Sequence, residues 1–414
     1  MPTENRRAMI LLLVVSGTII SICMGLRQSL GLFMRPMVLE AGVSAASFGF
    51  AIAVQNIVWG IAQPFVGAAA DRYGARPVLA GTALAYAGGL ALMIYSRGEL
   101  GLNVAGFLMG VGTAGTAFGV LMGVISRATP ESRRSQTVGL VAAAGSLGTM
   151  LLAPLGQAVI NAWGWQAGLW LFAAFAGSMA LLALPVKGLA QALGAEPAGG
   201  ARAAAPPVRL GEALREALGH RGYLFMTLAF FACGFQLVFL TTHLPAYLQL
   251  CGVAPGVSAT ALGLIGLFNT IGTYCFGLLG ARYSQKHLLA LIYLLRTLFI
   301  AGFLLAPVSA ASTLVFASAM GLLWLGVSPL VTGIIGRVFG LAHFGTLYGV
   351  VFLSHQVGSF FGAWMGGVVF ARFGSYDVAW AALIAVGLAA FTLQWLMDER
   401  PPTRRAGAPM PAAV

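Results

Sequence analysis

The sequence predicts an all-α membrane protein: twelve transmembrane helices arranged as two pseudo-symmetric six-helix halves. Three observations carry this. Apolar residues make up 59% of the chain and charged residues only 8%, and the mean hydropathy of +0.89 is outside the range of water-soluble domains. Apolar runs of about 20 residues, the length that crosses a hydrocarbon core, recur throughout. The first part of the chain also repeats in the second at a fixed offset of 210 residues.

By the length rule the spans cover residues 8–34, 48–70, 78–96, 104–126, 138–162 and 166–185 in the first half. In the second half they cover 223–248, 259–281, 288–307, 313–335, 344–371 and 378–397. The opening "MPTENRRAMILLLVVSG" mimics a secretory signal, but its apolar run is too long and lacks an A-x-A-like end, so it reads as a retained first span. An even number of spans puts both termini on one side. Residues 1–186 form the first half, 187–221 a linker, 222–400 the second half and 401–414 a disordered cytoplasmic tail. The linker starts "GAEPAGGARAAAPP" and ends "VRLGEALREALGHR", where Leu210, Ala213, Leu214, Ala217 and Leu218 share one helical face opposite Arg209, Glu212 and Glu216. That pattern predicts an amphipathic helix at the inner surface.

The repeat pairs Arg72 with Arg282, Tyr73 with Tyr283, Arg127 with Arg337, Gly139 with Gly349, Gly148 with Gly358, Gly156 with Gly366 and Trp170 with Trp380. A shared register over four consecutive elements predicts a binding site between the halves near the bilayer midplane, about which the halves rock.

A net charge of +12 could suggest nucleic acid, but position decides. With the termini cytoplasmic, only Arg35, Arg97 and Arg372 fall in outer loops and only Arg27 and Arg296 within spans; the rest of the 23 basic residues are inside. The positive-inside rule accounts for the charge. Cys23, Cys233, Cys251 and Cys275 lack CxxC spacing, which points away from a zinc site or disulfide framework. "GVGTAG" (110–115) matches a dinucleotide-loop pattern but lies in an apolar span with no strand before it. Gly115, Gly119 and Gly123 continue it as a smooth face for helix packing. Lys187 and Lys286 follow Val186 and Gln285, so neither completes an ATP-binding loop. No cofactor or metal is expected. No HExxH, acid cluster or Cys/His pair lies deep in the spans, so an intramembrane enzyme is not expected either.

All eleven acids fall in predicted loops or tails, so the spans carry positive charge alone. A central arginine costs at least about 2.5–3.5 kcal/mol on insertion scales and normally faces a cavity or a partner. With no carboxylate in the spans, an anionic cargo is an economical partner. Arg27 precedes Arg35 by eight residues, or roughly 12 Å along a helix; it either faces the interior or snorkels outward. Arg296 is mid-membrane in the ninth span, as a site residue or as a hydrogen-bonding strut. His355, beside Gln356 in "FLSHQVGSFFG", is either a proton carrier or a packed donor. His243 in "TTHLPAYL" is expected at a helix break before Pro245. Further candidate liners are Gln55, Asn56, Gln63, Gln236, Asn269, Trp324 and Ser328. Gln55 and Asn56 point about 100° apart, so they do not line one cavity together. Asn269 shares a face with Thr270 and Thr273.

"GAAADRYGARP" (67–77), between the second and third spans, resembles the signature loop of the major facilitator superfamily, GxxxDRxGxR. Its counterpart "GLLGARYSQK" (277–286) keeps Gly277 and Arg282 but has Ala281 in place of the acid. The resemblance implies the major facilitator fold and assigns inner-gate roles to Gly67, Asp71, Arg72, Gly74, Arg76, Arg127 and Arg282. Within the superfamily, "GLRQSLGLFMRPM" followed by "GVSAASFGFAIAVQN" looks most like the monocarboxylate and oxalate/formate transporter branch. That likeness implies a secondary transporter of a small organic anion, a monocarboxylate, in the inner membrane. Arg27 then stands at the substrate-sensing basic position and His355 at a basic position of span eleven. Asn56, Asn269, Arg296, Trp324 and Gln356 complete the expected substrate site. The branch's Asp/Arg pair in span eight is absent, which argues against both proton-coupled lactate-type transport and a doubly charged cargo. A coupled proton or an exchanged anion is the expected partner, and a monomer the expected state. The competing reading is a multidrug or neutral-solute exporter on the same fold.

Overall fold

A computed structural model describes residues 3–129, 131–194, 210–339 and 344–400. The 401–414 tail and residues 195–209 of the linker lie outside the described residues. Ten segments are long and apolar enough to cross a membrane. One of them, Ala144–Ala192, contains two crossings. The helix Glu131–Leu182 runs through both and is broken at Gly164, whose φ of 85° only glycine adopts readily. The eleventh crossing is the 30-residue helix Phe344–Phe373, whose apolar character is diluted by Ser354, His355, Gln356 and several glycines. The twelve-span architecture is therefore present.

Three spans depart from single helices. The first runs as Thr3–Ser29, tightens into a 3-10 turn at Leu30–Phe33 and resumes as Met34–Glu40. The fourth is Glu99–Thr116 and Gly119–Ala128, interrupted at Ala117. The tenth is Ala310–Leu323 and Val327–Phe339, interrupted at residues 324–326. The two breaks occupy nearly equivalent places in the repeat, so the pseudo-symmetry extends to backbone irregularity. The fourth-span break overturns the expected Gly115–Gly119–Gly123 face. A side chain at Gly110 would meet the Gln55 carbonyl and Val58, and one at Gly112 would meet Tyr86. Span four thus packs on spans two and three above the break. Below it, Gly119 and Gly123 face only the Gln63 and Arg127 side chains.

Pro245 does not break the seventh span, which is helical over Arg221–Leu250. Its missing N–H leaves the Thr241 carbonyl without an in-helix donor, and Gly31 of the first span is pressed onto that carbonyl. This is one of a series of close cross-half approaches. Gly367 packs on the Ala45 carbonyl, and a Cβ at Gly49 would lie 2.6 Å from the Ala363 oxygen. Spans five and eight meet similarly, with a Gly266 Cβ 2.7 Å from the Ser146 oxygen. These contacts close the halves against each other from the ends opposite the termini down to mid-span, where Trp59 meets Phe352 edge-on at 5.3 Å.

The amphipathic linker helix forms as Leu210–Gly219. Ala217 is buried and Leu214 half-buried, while Leu218 on the expected apolar face is 43% exposed. The side chains of Leu210, Glu212 and Ala213, and all of Arg209, lie outside the described residues.

Candidate functional site

Mid-span, the two halves are joined by a polar chain. Arg27 lies in the last turn of the first helix and is half-buried. Its Nη2 donates to Asn56 Oδ1 at 2.7 Å, and its guanidinium carbon lies 4.9 Å from the centre of the Trp59 ring. Asn56 and Trp59 are three residues apart on one face of span two, so a single helix supplies both the acceptor and the aromatic wall. Asn56 Nδ2 donates to its own helix at the Ile52 carbonyl, 2.8 Å away, which orients the amide with its oxygen toward Arg27. The guanidinium thus turns inward, not to the headgroups. Its Nε is buried without a hydrogen-bond partner.

The chain continues into the second half. Gln356 Nε2 donates to the Asn56 backbone carbonyl at 3.0 Å, and Gln356 Oε1 lies 3.0 Å from His355 Nδ1. With the amide nitrogen committed to Asn56, the amide oxygen accepts, so Nδ1 of His355 carries the hydrogen and Nε2 is the free basic nitrogen. The imidazole is buried between Phe352, nearly parallel at 6.0 Å, and Phe230 at 5.2 Å. Four of the seven expected substrate residues, Arg27, Asn56, His355 and Gln356, are therefore neighbours in one cluster.

The other three are not part of it. Arg296 is fully buried. Its Nε donates to the Leu323 carbonyl at 3.1 Å and its Nη2 to the same carbonyl at 2.6 Å, with a further short contact from Nη2 to the Trp324 carbonyl. These are carbonyls that the break in span ten removes from the helical ladder. The bonds are those of a hydrogen-bonding strut, while Nη1 is buried without a partner among the described residues. Trp324 enters through its backbone oxygen. Asn269 donates to Ser146 Oγ at 2.7 Å, and its oxygen accepts from the Leu325 N–H at 2.9 Å and from Thr273. It ties span eight to span five of the other half and to the span-ten break. Gln236 is likewise turned away, donating to the Leu383 carbonyl in span twelve. His243 lies within 2.7 Å of the Ala363 carbonyl, in the closed outer region.

Sequence reasoning overlooked Trp59, Tyr86 and Cys23. Cys23 lies one helical turn from Arg27 and accepts from Thr116 Oγ at 3.2 Å. Tyr86 is fully buried, with its hydroxyl unpartnered among the described residues. The signal was available: Cys23 and Tyr86 precede Cys233 and Arg296 by the repeat offset of 210.

At the ends of the spans near the termini, Arg72, Arg76, Arg127 and Arg282 are exposed. The Asp71 side chain lies outside the described residues. Gly74 has φ 91°, so the last signature glycine permits the tight turn between Ala45–Tyr73 and Ala75–Tyr95, while a side chain at Gly67 would meet only open space. In the second half Ser284 replaces Gly74 with an ordinary φ of −58°. The missing acid there is supplied from the end of span twelve. Glu399 accepts from Ser284 Oγ at 3.1 Å and the Lys286 N–H at 2.7 Å, and pairs with Arg337 at 2.8 Å.

The sequence profile of the Major Facilitator Superfamily matches residues 17–363. The chain belongs to the major facilitator superfamily. As a facilitator it is a multi-pass membrane transporter, not an enzyme. It is 26% identical to the MFS-type transporter YcxA of Bacillus subtilis (strain 168), covering 88% of this chain and 89% of that one. It is 23% identical to the oxalate:formate antiporter of Oxalobacter formigenes over 94% and 91% of the two chains. Monocarboxylate transporter 13 of Rattus norvegicus is 26% identical over 88% and 83%. The fold is also that of a D-xylose-proton symporter crystal structure, with a TM-score of 0.73, 16% identity, and 97% and 99% of the two chains covered.

Proposed function

We propose that this facilitator moves a small organic anion, a monocarboxylate, across the cell's inner membrane by alternating access, with both termini cytoplasmic. One observation carries the reading: Arg27 lies between the halves with a buried Nε–H unpartnered, and the sequence places no acid within a predicted span. A buried cation without a fixed counter-ion favours a negative guest. The similarity to an oxalate:formate antiporter supports a small organic anion, and the similarity to a monocarboxylate transporter supports the singly charged one. One fixed cation in the cluster matches one negative charge. Arg296 lies outside this cluster, bonded to the span-ten carbonyls, so the cluster itself offers no second cation for a dicarboxylate. His355 offers a basic Nε2 for a coupled proton, and exchange against a second anion uses the same site without it.

The test is uptake of radiolabelled monocarboxylates (formate, acetate, lactate, pyruvate and benzoate) into proteoliposomes. Arg27→Gln is expected to lower uptake at least about 100-fold, as the loss of a charge-assisted pair in a dry site implies, while the detergent-solubilised protein keeps its melting temperature. Unchanged uptake would remove Arg27 from the site, and a neutral-solute carrier would then be the better account.

A further inference from the structure

Accepting a carboxylate as the cargo, we infer that Asn56 is an internal stand-in for it: the amide oxygen occupies on Arg27 the place that the substrate oxygen takes, and loading requires its displacement. The geometry is that of a self-ligand. Asn56 Oδ1 lies 2.7 Å from Arg27 Nη2, the distance of a charge-assisted bond. The amide is held in that orientation by the Ile52 carbonyl on its other end. Asn56 is 1% exposed, so the oxygen competes with an incoming anion from inside the protein and not through solvent. Trp59 covers one face of the guanidinium, and its unpartnered Nε–H marks where a second acceptor oxygen is still wanted. A carboxylate carries two oxygens and can satisfy Nε and Nη2 together; the amide presents one. The stand-in is thus good enough to keep the empty carrier's cation solvated, and poor enough to be replaced.

Asn56 also reports the exchange to the other half. Its backbone carbonyl accepts from Gln356 Nε2 of span eleven at 3.0 Å, and Gln356 holds His355. A shift of Asn56 on displacement is therefore transmitted directly to the contact that joins the halves at the level of the site.

Changing the strength of the stand-in tests this. Asn56→Asp supplies a permanent carboxylate beside Arg27, and it is expected to abolish the thermal stabilisation that the five-member monocarboxylate panel gives the wild-type protein, with at least about a 100-fold loss of affinity. Asn56→Ala removes the competitor and is expected to bind the same panel about tenfold more tightly, the equivalent of one hydrogen bond to a charged group. An Asn56→Asp protein that binds the panel as well as wild type overturns the inference. Should Asn56→Asp fail to fold, Asn56→Ala decides alone, and equal or weaker affinity overturns it. A wild-type protein that ignores the whole panel overturns the carboxylate reading itself, and the inference with it. A wild type that responds while its Asn56 variants respond identically overturns only the inference.

Discussion

Arg27 and Arg296 are the charged residues that the sequence places within predicted spans, and the structure gives them different partners. Arg296 is wholly enclosed and aims its fork at two carbonyls of its own half, released where span ten breaks. Arg27 is half-buried, stands between the halves, and meets one amide oxygen and one indole face. On the proposed function, the same guanidinium is a strut where its partners are immobile backbone and a receptor where its partner is a replaceable side chain. Insertion cost alone does not separate the two cases. The identity of the acceptor does.

Lysine at each position breaks this comparison most strongly, because an ammonium keeps the charge but loses the planar fork. Arg296→Lys is expected to cost about 2–3 kcal/mol of stability, the scale of one or two charge-assisted hydrogen bonds, read as a lower melting temperature in detergent. Monocarboxylate affinity of the folded fraction stays as in wild type. Arg27→Lys should do the reverse, leaving the melting temperature in place and weakening monocarboxylate binding about tenfold, as a point charge replaces a two-pronged donor. Equal effects on both readouts at both positions would erase the distinction.

A smaller change sharpens it on the Arg27 side alone. Trp59→Leu removes the aromatic face while keeping an apolar wall, and should raise the concentration for half-maximal uptake about fivefold, in line with a partly desolvated cation–π contact. No counterpart effect on uptake is expected at Tyr293, which lies 5.6 Å from Arg296, outside the Arg27 cluster. The smallest effect concerns the surface. Glu399→Gln weakens a pair whose Arg337 partner is 49% exposed, so stability should fall by less than about 1 kcal/mol, with transport lost only to the extent that the second-half turn loosens. A drop of several kcal/mol would show that the Ser284 and Lys286 contacts to this carboxylate matter more than its ion pair.

Much of this was legible before the coordinates. Length and hydropathy gave the spans, and the 210-residue register gave two halves meeting at a site. The isolation of Arg27 from every acid pointed to an anionic cargo, but not to which of the candidate liners would be its neighbours. What escaped was anything set by backbone irregularity. Nothing in "GLLWLGVSPL" announces a break at residues 324–326, so nothing revealed that Arg296 would be consumed there or that Asn269 would cap Leu325. Trp59 was passed over because an aromatic in an apolar span reads as packing, and only its distance from a guanidinium distinguishes it. Glu399 follows the last span in sequence, and its role in replacing the acid absent at Ala281 depends on a contact between segments over a hundred residues apart.

The closed face of the molecule is built where glycines lie flat on carbonyls: Gly31 on Thr241, Gly49 on Ala363 and Gly367 on Ala45. At these points helix backbones touch directly, and Phe50 sits edge-on against Phe360 and Trp364 beside them, so the doorway is held shut by snugness and area with an aromatic latch alongside. Bulk added at any of these three positions would wedge the door ajar, long before it disturbed the chamber behind it.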